Sequence, residues 1–367
     1  MTDAAQGDEA VQCTEAESKL NQELLEACRN GADVERIKQL LRDGADAAFQ
    51  ETEGGTSVLM HAAGRGDAAV VKALLEAGAP WNALDRAGRC AGEWANDAGH
   101  EEAATALLDA GCRAELLLMA IDEARALGPV QAAAGSNDDY LSQRLKYDED
   151  NSKLMDAEGE AVMMDWEAPL MQAHAAAICQ TRGDVLNVGF GLGIVDNAIQ
   201  ECQPRSHTIV EAHPDVLARM KELGWYDKEG VTVLEGRWQD ALPAAGRTFD
   251  GIFFDTYGEY YEDMRGFHRM LPKLLKPGGV YSYFNGLAPD NPFFHAVYCE
   301  VVRLEMAQLG LETLFLPLPM GPERNKHGKA ETWDGVKNRY WWGDVYHLPV
   351  CQMADPDEDG DSGGSGK

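Results

Sequence analysis

The chain has 367 residues, a formal net charge of −30 and 45% hydrophobic residues. It is too long for one ordinary core and apolar enough for two. The acid excess argues against nucleic acid as the main ligand, because a phosphate backbone is met by a basic surface. No run of 18 apolar residues is present, so no membrane-spanning helix is expected. The start, Met1-Thr2-Asp3-Ala4, lacks the apolar stretch of a signal peptide. The acidity either steers cationic partners or serves solubility alone. Eight scattered cysteines form no C-x-x-C pair and read as reduced thiols of the cytosol or nucleus. Nine histidines form no H-x-x-x-H or H-E-x-x-H pattern, so no metal site is expected.

In chain order, residues 1–18 are expected to be disordered. Over 19–112 the sequence resembles itself. Leu40-Leu41-Arg42-Asp43-Gly44-Ala45, Leu74-Leu75-Glu76-Ala77-Gly78-Ala79 and Leu107-Leu108-Asp109-Ala110-Gly111-Cys112 recur 34 and then 33 residues apart. Gly55 and Gly88, also 33 apart, mark turns between units. This pattern resembles ankyrin repeats, with a period of about 33 residues. Alanines let two short helices pack closely, leucines fill the core between repeats, and each glycine ends a second helix in a left-handed cap. The repeats either bind a protein on their concave face or buttress the next domain. A helix over 113–127 ended by Gly128-Pro129, then a small polar stretch over 132–139, form a connection.

From 140 to 350 the pattern alternates. Strands are expected over 184–188, 207–211, 231–235, 249–255, 279–284, 311–316 and 339–346. Helices are expected over 194–201, 214–223, 263–275 and 292–309. Such alternation implies a mainly parallel, doubly wound α/β sheet with right-handed crossovers. Residues 351–367, acidic and then Gly/Ser-rich, are expected to be a disordered tail.

The chemistry concentrates at strand ends. Val188-Gly189-Phe190-Gly191-Leu192-Gly193 closes the first strand of this domain. Its glycines let the backbone approach a ligand, and the G-x-G-x-G order differs from the G-x-G-x-x-G that cradles a pyrophosphate. That favours S-adenosylmethionine, which has no phosphate. Glu211 ends the second strand, where a carboxylate accepts from both ribose hydroxyls; an exposed strand-end acid is the bland alternative. Trp238, after the third strand, either walls an adenine ring or fills the core, and Asp240 is a candidate acceptor for the adenine amino group. Asp255 follows the apolar fourth strand into the crevice where such folds bind ligands. Upstream, Pro169 suits the first turn of a helix and puts Glu167 at its entrance. Leu274-Leu275-Lys276-Pro277-Gly278-Gly279-Val280 reads as a structural turn.

Trp166-Glu167-Ala168-Pro169-Leu170-Met171, Val188-Gly189-Phe190-Gly191 and Phe254-Asp255-Thr256-Tyr257 together resemble the guanidinoacetate methyltransferase group. With repeats in front, the chain resembles the type IV protein arginine N-methyltransferases, which act on the δ nitrogen of arginine in proteins. The resemblance covers roughly residues 20–350. It implies a class I methyltransferase sheet, S-adenosylmethionine as cofactor, and an arginine-containing or basic protein substrate. It implies that Met163 and Met171 hold the cofactor, with Gly189, Phe190, Gly191, Leu192, Gly193, Ile194 and Val195. Glu211, Ala212, His213, Arg237, Trp238 and Asp255 complete that set. Tyr140 matches an aromatic lid residue, with Tyr147 as its neighbouring rival. Glu167 and Asp255 are implied to grip the guanidinium and Tyr257 to border it. Asn187 stands where many methyltransferases carry an acid.

The implied chemistry is coherent. A guanidinium has five N–H donors, stays charged throughout the physiological range and has a delocalised lone pair. Two carboxylates in bidentate contact orient it and offset its charge as it leaves water. One of them, assigned as Asp255, takes the proton as the C–N bond forms by in-line transfer. The alternative for this pair is a helix-end acid plus a contact to the cofactor amine. Two other functions fit the sequence: methylation of a small guanidino compound, or an ankyrin scaffold with an inactive catalytic domain.

Overall fold

A computed structural model of the chain describes residues 15–126, 138–257, 261–320 and 329–355. The expectations for residues 1–14, for Gly128-Pro129, for 132–137 and for 356–367 lie outside the described residues. The chain divides into two units, residues 1–125 with 291–298, and residues 126–290 with 299–367.

The first unit is helical: α1 Glu15–Asn30, α2 Val34–Arg42, α3 Val58–Arg65, α4 Ala68–Glu76, α5 Ala91–Asp97 and α6 Glu101–Ala126. Asp33 caps α2 by accepting from the Arg36 amide at 2.9 Å, and Ser57 caps α3 by accepting from Met60 at 3.1 Å. Gly44 and Gly78, just beyond α2 and α4, have φ of 103° and 93°, as the left-handed stop requires. Leu40, Leu59, Ala62, Ala63, Val71, Leu74 and Leu107 are buried between the helices. The third copy departs from the pattern. Gly111 lies inside α6, which continues without a break through the stretch read as a separate helix over 113–127. A Cβ on Gly111 would lie 3.0 Å from the Trp81 ring, so this glycine admits an aromatic side chain and stops nothing.

The second unit opens with α7 Asp138–Ser142, which begins inside the stretch expected to be a linker. A three-stranded antiparallel sheet follows: β1 Lys146–Tyr147, β2 Lys153–Met155 and β3 Ala161–Met164. A 3-10 turn, Asp165–Glu167, then leads into α8 Ala168–Ile178, with Pro169 in its first turn.

The main sheet is built from β4 Asp184–Val188, β5 Ser206–Glu211, β6 Val231–Glu235, β7 Phe249–Phe254, β8 Leu275–Tyr283, β9 Leu311–Pro319 and β10 Val345–Met353. Between these strands run α9 Ile194–Glu201, α10 Pro214–Glu222, α11 Trp238–Ala245, α12 Tyr261–His268, α13 Leu271–Leu274 and α14 Pro292–Gln308. The strand order is β6-β5-β4-β7-β8-β10-β9. The first five are parallel, and β10 runs antiparallel to both β8 and β9. Strands covered on both faces must be apolar throughout. Val185, Leu186, Val188, Ile252, Phe253 and Phe254 are accordingly all buried. The chain winds outward from β4 through β5 to β6, then returns to lay β7 on the other side of β4. Ligands bind at such a switch point, outside the carboxyl ends of the strands.

Several sequence boundaries need correction. The helix expected over 263–275 is two helices, because Pro272 starts a new turn in α13 and Leu275 already pairs with Phe249. The strand expected over 279–284 therefore starts at Leu275, with an irregularity opposite Phe249 and Gly251. The strand expected over 311–316 extends to Pro319. The last strand, expected over 339–346, is β10, and residues 339–344 are loop. Cys351, Gln352 and Met353 pair with Thr313, Glu312 and Leu311, so the tail expected from 351 begins inside the sheet. Among the described residues no helix is long and apolar enough to cross a membrane.

Candidate active site

The crevice at the ends of β4, β5 and β7 is a cavity open to solvent, with about 630 Å³ of empty space including its mouth. Of the residues singled out from sequence, Tyr140, Met163, Gly189, Gly191, Glu211, Ala212, Arg237, Trp238, Asp255 and Tyr257 line it. Leu141, Val162, Gly236 and Gln239 complete parts of the wall.

The glycine loop is pressed against the end of β7. The Gly189 amide donates to Val210 and the Asp255 amide to Val188, both at 2.9 Å. A Cβ on Gly189, at φ 95°, would sit 1.8 Å from the Asp255 carbonyl oxygen; one on Gly191 would meet Met163 Sδ at 2.9 Å. Only a bare backbone fits there, which leaves the space in front of it for a ligand. Behind the loop, Asn187 Nδ2 donates to the Gly189 carbonyl and to Asp196 Oδ1, both at 2.8 Å.

Glu211 is buried, and burial pushes its carboxyl above the usual range while backbone donors pull it back. Its Oε2 accepts from Phe190 N at 2.9 Å, and its Oε1 from Ala212 N at 2.7 Å and His213 N at 2.6 Å. The carboxylate thus ties the glycine loop to the start of α10. His213 caps α10 by accepting from Asp215 N at Nδ1, 3.1 Å. Its Nε2 then carries the proton given to the Tyr140 carbonyl at 3.2 Å. Burial favours this neutral form.

The Tyr140 ring packs 4.9 Å from those of His213 and Tyr257. Tyr147 is absent from this wall and faces a separate groove with Arg144 and Asp215. The Tyr257 hydroxyl donates to Asp156 Oδ2 at 3.1 Å. Arg237 pairs with Asp138. Trp238 serves both readings: it lines the cavity and meets Phe267 edge-on at 5.4 Å in the core. Asp240 is exposed on α11 and is not on the wall. Met171 is buried beside Ala175 and Val185, off the wall. Phe190 packs on Trp225 at 5.3 Å, and Leu192, Gly193, Ile194 and Val195 shape the turn into α9 from behind.

Asp255 stands between two cavities. The second, of about 690 Å³, is lined by Phe254, Asp255, Thr256, Tyr261, Met264, Phe284, Gly286 and Leu287. Burial, and then the charge of Glu167, push the Asp255 carboxyl well above the usual range. Glu167, 3% exposed, is raised to about 7 by burial, against the pull of its hydrogen bonds. Those bonds come from Met164 N at 2.9 Å and from the Tyr340 hydroxyl at 2.5 Å, both to Oε1. No described residue donates a hydrogen bond to the Asp255 carboxylate or to Glu167 Oε2. A buried acid that feels the charge of Glu167 and receives no hydrogen bond from any described residue favours a cation beside it. Tyr340 was not read from the sequence, although the aromatic run Tyr340-Trp341-Trp342 was a visible signal. Among the described residues no acid, histidine or cysteine cluster could hold a metal.

The model of the guanidinoacetate N-methyltransferase family matches residues 132–310, and that of ankyrin repeats, in three copies, matches residues 24–116. The chain is similar to a protein arginine N-methyltransferase 2 from Cryptococcus neoformans, 35% identical over 353 residues that span 87% of this chain and 91% of that protein. One from Aspergillus fumigatus is 36% identical over 341 residues, 78% of each chain. One from Yarrowia lipolytica is 43% identical over 228 residues, 59% of this chain and about half of that protein, 48%. The Cryptococcus and Aspergillus proteins are thus more than a third identical to this chain over most of both lengths, and the chain belongs to the protein arginine N-methyltransferase 2 family of enzymes.

Proposed function

We propose that this protein transfers a methyl group from S-adenosylmethionine to the guanidino group of an arginine in a protein substrate, at the δ nitrogen. Arginine methylation is supported by family membership, and the δ position by the resemblance to type IV enzymes. The observation that carries the guanidino reading is Asp255: a carboxyl group that receives no hydrogen bond from any described residue, on the walls of two cavities at once, sensing the charge of Glu167.

The residues of the first cavity fit the cofactor. The glycine loop is a cradle that a Cβ would fill, Glu211 offers carboxylate oxygens to ribose hydroxyls, and Trp238 and Gly236 offer a flat wall to a purine. Met163, Ala212 and Arg237 line the remainder. When bound, S-adenosylmethionine supplies an electrophilic methyl group on a sulfonium, so neither a metal nor a covalent enzyme intermediate is required.

The chain's own residues do the rest. The second cavity, with Tyr261, Met264, Phe284 and Leu287, suits the aliphatic stem of an arginine whose head reaches Asp255. Glu167 and Asp255 fix the plane of the guanidinium by charge-assisted hydrogen bonds and offset its charge away from water. Asp255, whose carboxyl is raised by its surroundings, takes the proton released from the methylated nitrogen. The repeats and the net charge of −30 support a basic protein as substrate, docked on the helical unit.

The test uses the whole chain with labelled S-adenosylmethionine and either an arginine-containing peptide or guanidinoacetate. Label in the peptide, with fragmentation locating the methyl group on the δ nitrogen, is the expected result. Label only in guanidinoacetate would overturn the protein-substrate reading.

A further inference from the structure

We propose that Tyr340 is a positioning residue for methyl transfer, holding the Glu167 carboxylate by one oxygen so that the other is left for the substrate. This role rests on the reading of Glu167 as a ligand of the guanidinium.

The terminal torsion of a glutamate is soft, so an acid meant to meet a planar cation must be oriented by its surroundings. Two donors converge on a single oxygen of Glu167: Tyr340 Oη at 2.5 Å and Met164 N at 2.9 Å. No described residue donates to Oε2. A donor pair on Oε1 fixes the carboxylate plane, and the open oxygen is then directed by the protein, not by chance.

Tyr340 is itself held. Its ring lies 5.6 Å from Trp166 and meets Trp333 edge-on at 5.1 Å. The loop that carries it is strapped to the hairpin that leads into Glu167. Lys153 Nζ donates to the Asp334 carbonyl at 2.6 Å, Lys337 N to Gly159 O at 2.8 Å, and Asn338 Nδ2 to Glu160 Oε1 at 2.5 Å. Lys337 Nζ also pairs with Glu160 at 3.2 Å. Glu167 and Tyr340 are 173 residues apart in the chain, yet both ends of their hydrogen bond are anchored on the one hairpin formed by β2, β3 and the turn between them. Little ordering therefore remains to be lost when substrate arrives.

The test is Tyr340→Phe in the full-length protein, assayed with S-adenosylmethionine and an arginine peptide. The phenyl ring keeps the packing on Trp166 and Trp333, and thermal unfolding verifies the fold. The expected result is a kcat at least about tenfold lower with cofactor affinity unchanged. The acidic limb of kcat/KM is also expected at higher pH, because the tyrosine hydrogen bond lowers the Glu167 carboxyl. In a Glu167→Gln background the same change should have no further effect. Wild-type kcat with an unmoved limb, or an undiminished loss in the Glu167→Gln background, would overturn the proposal. A wild-type chain that leaves arginine peptides unlabelled defeats the functional reading itself; an active wild type with an equally active variant defeats only the role of Tyr340.

Discussion

Glu167 and Asp255 are acids whose burial opposes their own ionisation. The Glu167 carboxyl is raised from 4.5 to about 7 in the folded chain, so the folded state holds a proton that the unfolded state gives up. Its contribution to stability is therefore lost as pH rises from about 4.5 through 7, by on the order of 3 kcal/mol above that range. Glu167→Gln removes this liability. The variant should melt a few degrees above wild type at pH 8, with the gap closing toward pH 5, while its methyl transfer falls sharply. A variant that melts lower at pH 8 contradicts the burial argument. Asp255→Asn should lose two or more orders of magnitude in turnover with an unchanged circular dichroism spectrum. Glu211→Ala should weaken S-adenosylmethionine at least about tenfold by calorimetry, since one amide of the glycine loop and two at the start of α10 lose their acceptor with it. These three acids were legible because each ends an apolar strand or opens a helix. Asp240 looked equivalent in sequence but points to solvent from α11, and Tyr340 was hidden by its distance along the chain.

At the scale of elements, the glycine loop is the most constrained joint. Gly189→Ala would drive a methyl group toward the Asp255 carbonyl oxygen, 1.8 Å away, so the loop must move. Loss of measurable cofactor binding and a lowered melting temperature are expected, and normal binding would show that the loop is not pinned to β7 as described. The alternation of strands and helices was readable because buried parallel strands are apolar throughout. Their limits were not, because pairing decides them: β8 starts four residues early opposite Phe249, and β10 extends to Met353 opposite β9. The sheet of β1, β2 and β3 escaped notice because strands of two to four residues carry no measurable period. Gly111 was misread as a stop because a helical glycine opposite Trp81 looks, in sequence, like its cap-forming counterparts.

At the scale of the molecule, a charge of −30 favours basic partners at a distance and is screened by salt. Turnover of a lysine- and arginine-rich peptide should fall several-fold in kcat/KM between about 0.05 and 0.3 M salt, chiefly through KM. A flat response would assign the acidity to solubility alone. The repeats were evident from their period and the catalytic sheet from its glycine loop, whereas the meeting of Asp255 with two cavities required the fold.

The most direct test of the paired carboxylates is calorimetric titration of the protein with an arginine peptide, in the presence of a non-reactive cofactor analogue, in buffers of different ionisation enthalpy. A guanidinium favours ionised partners, so binding at pH 6.5 should release protons and tighten as pH rises toward 7. Binding without proton release, or with an affinity independent of pH across that range, would contradict the account.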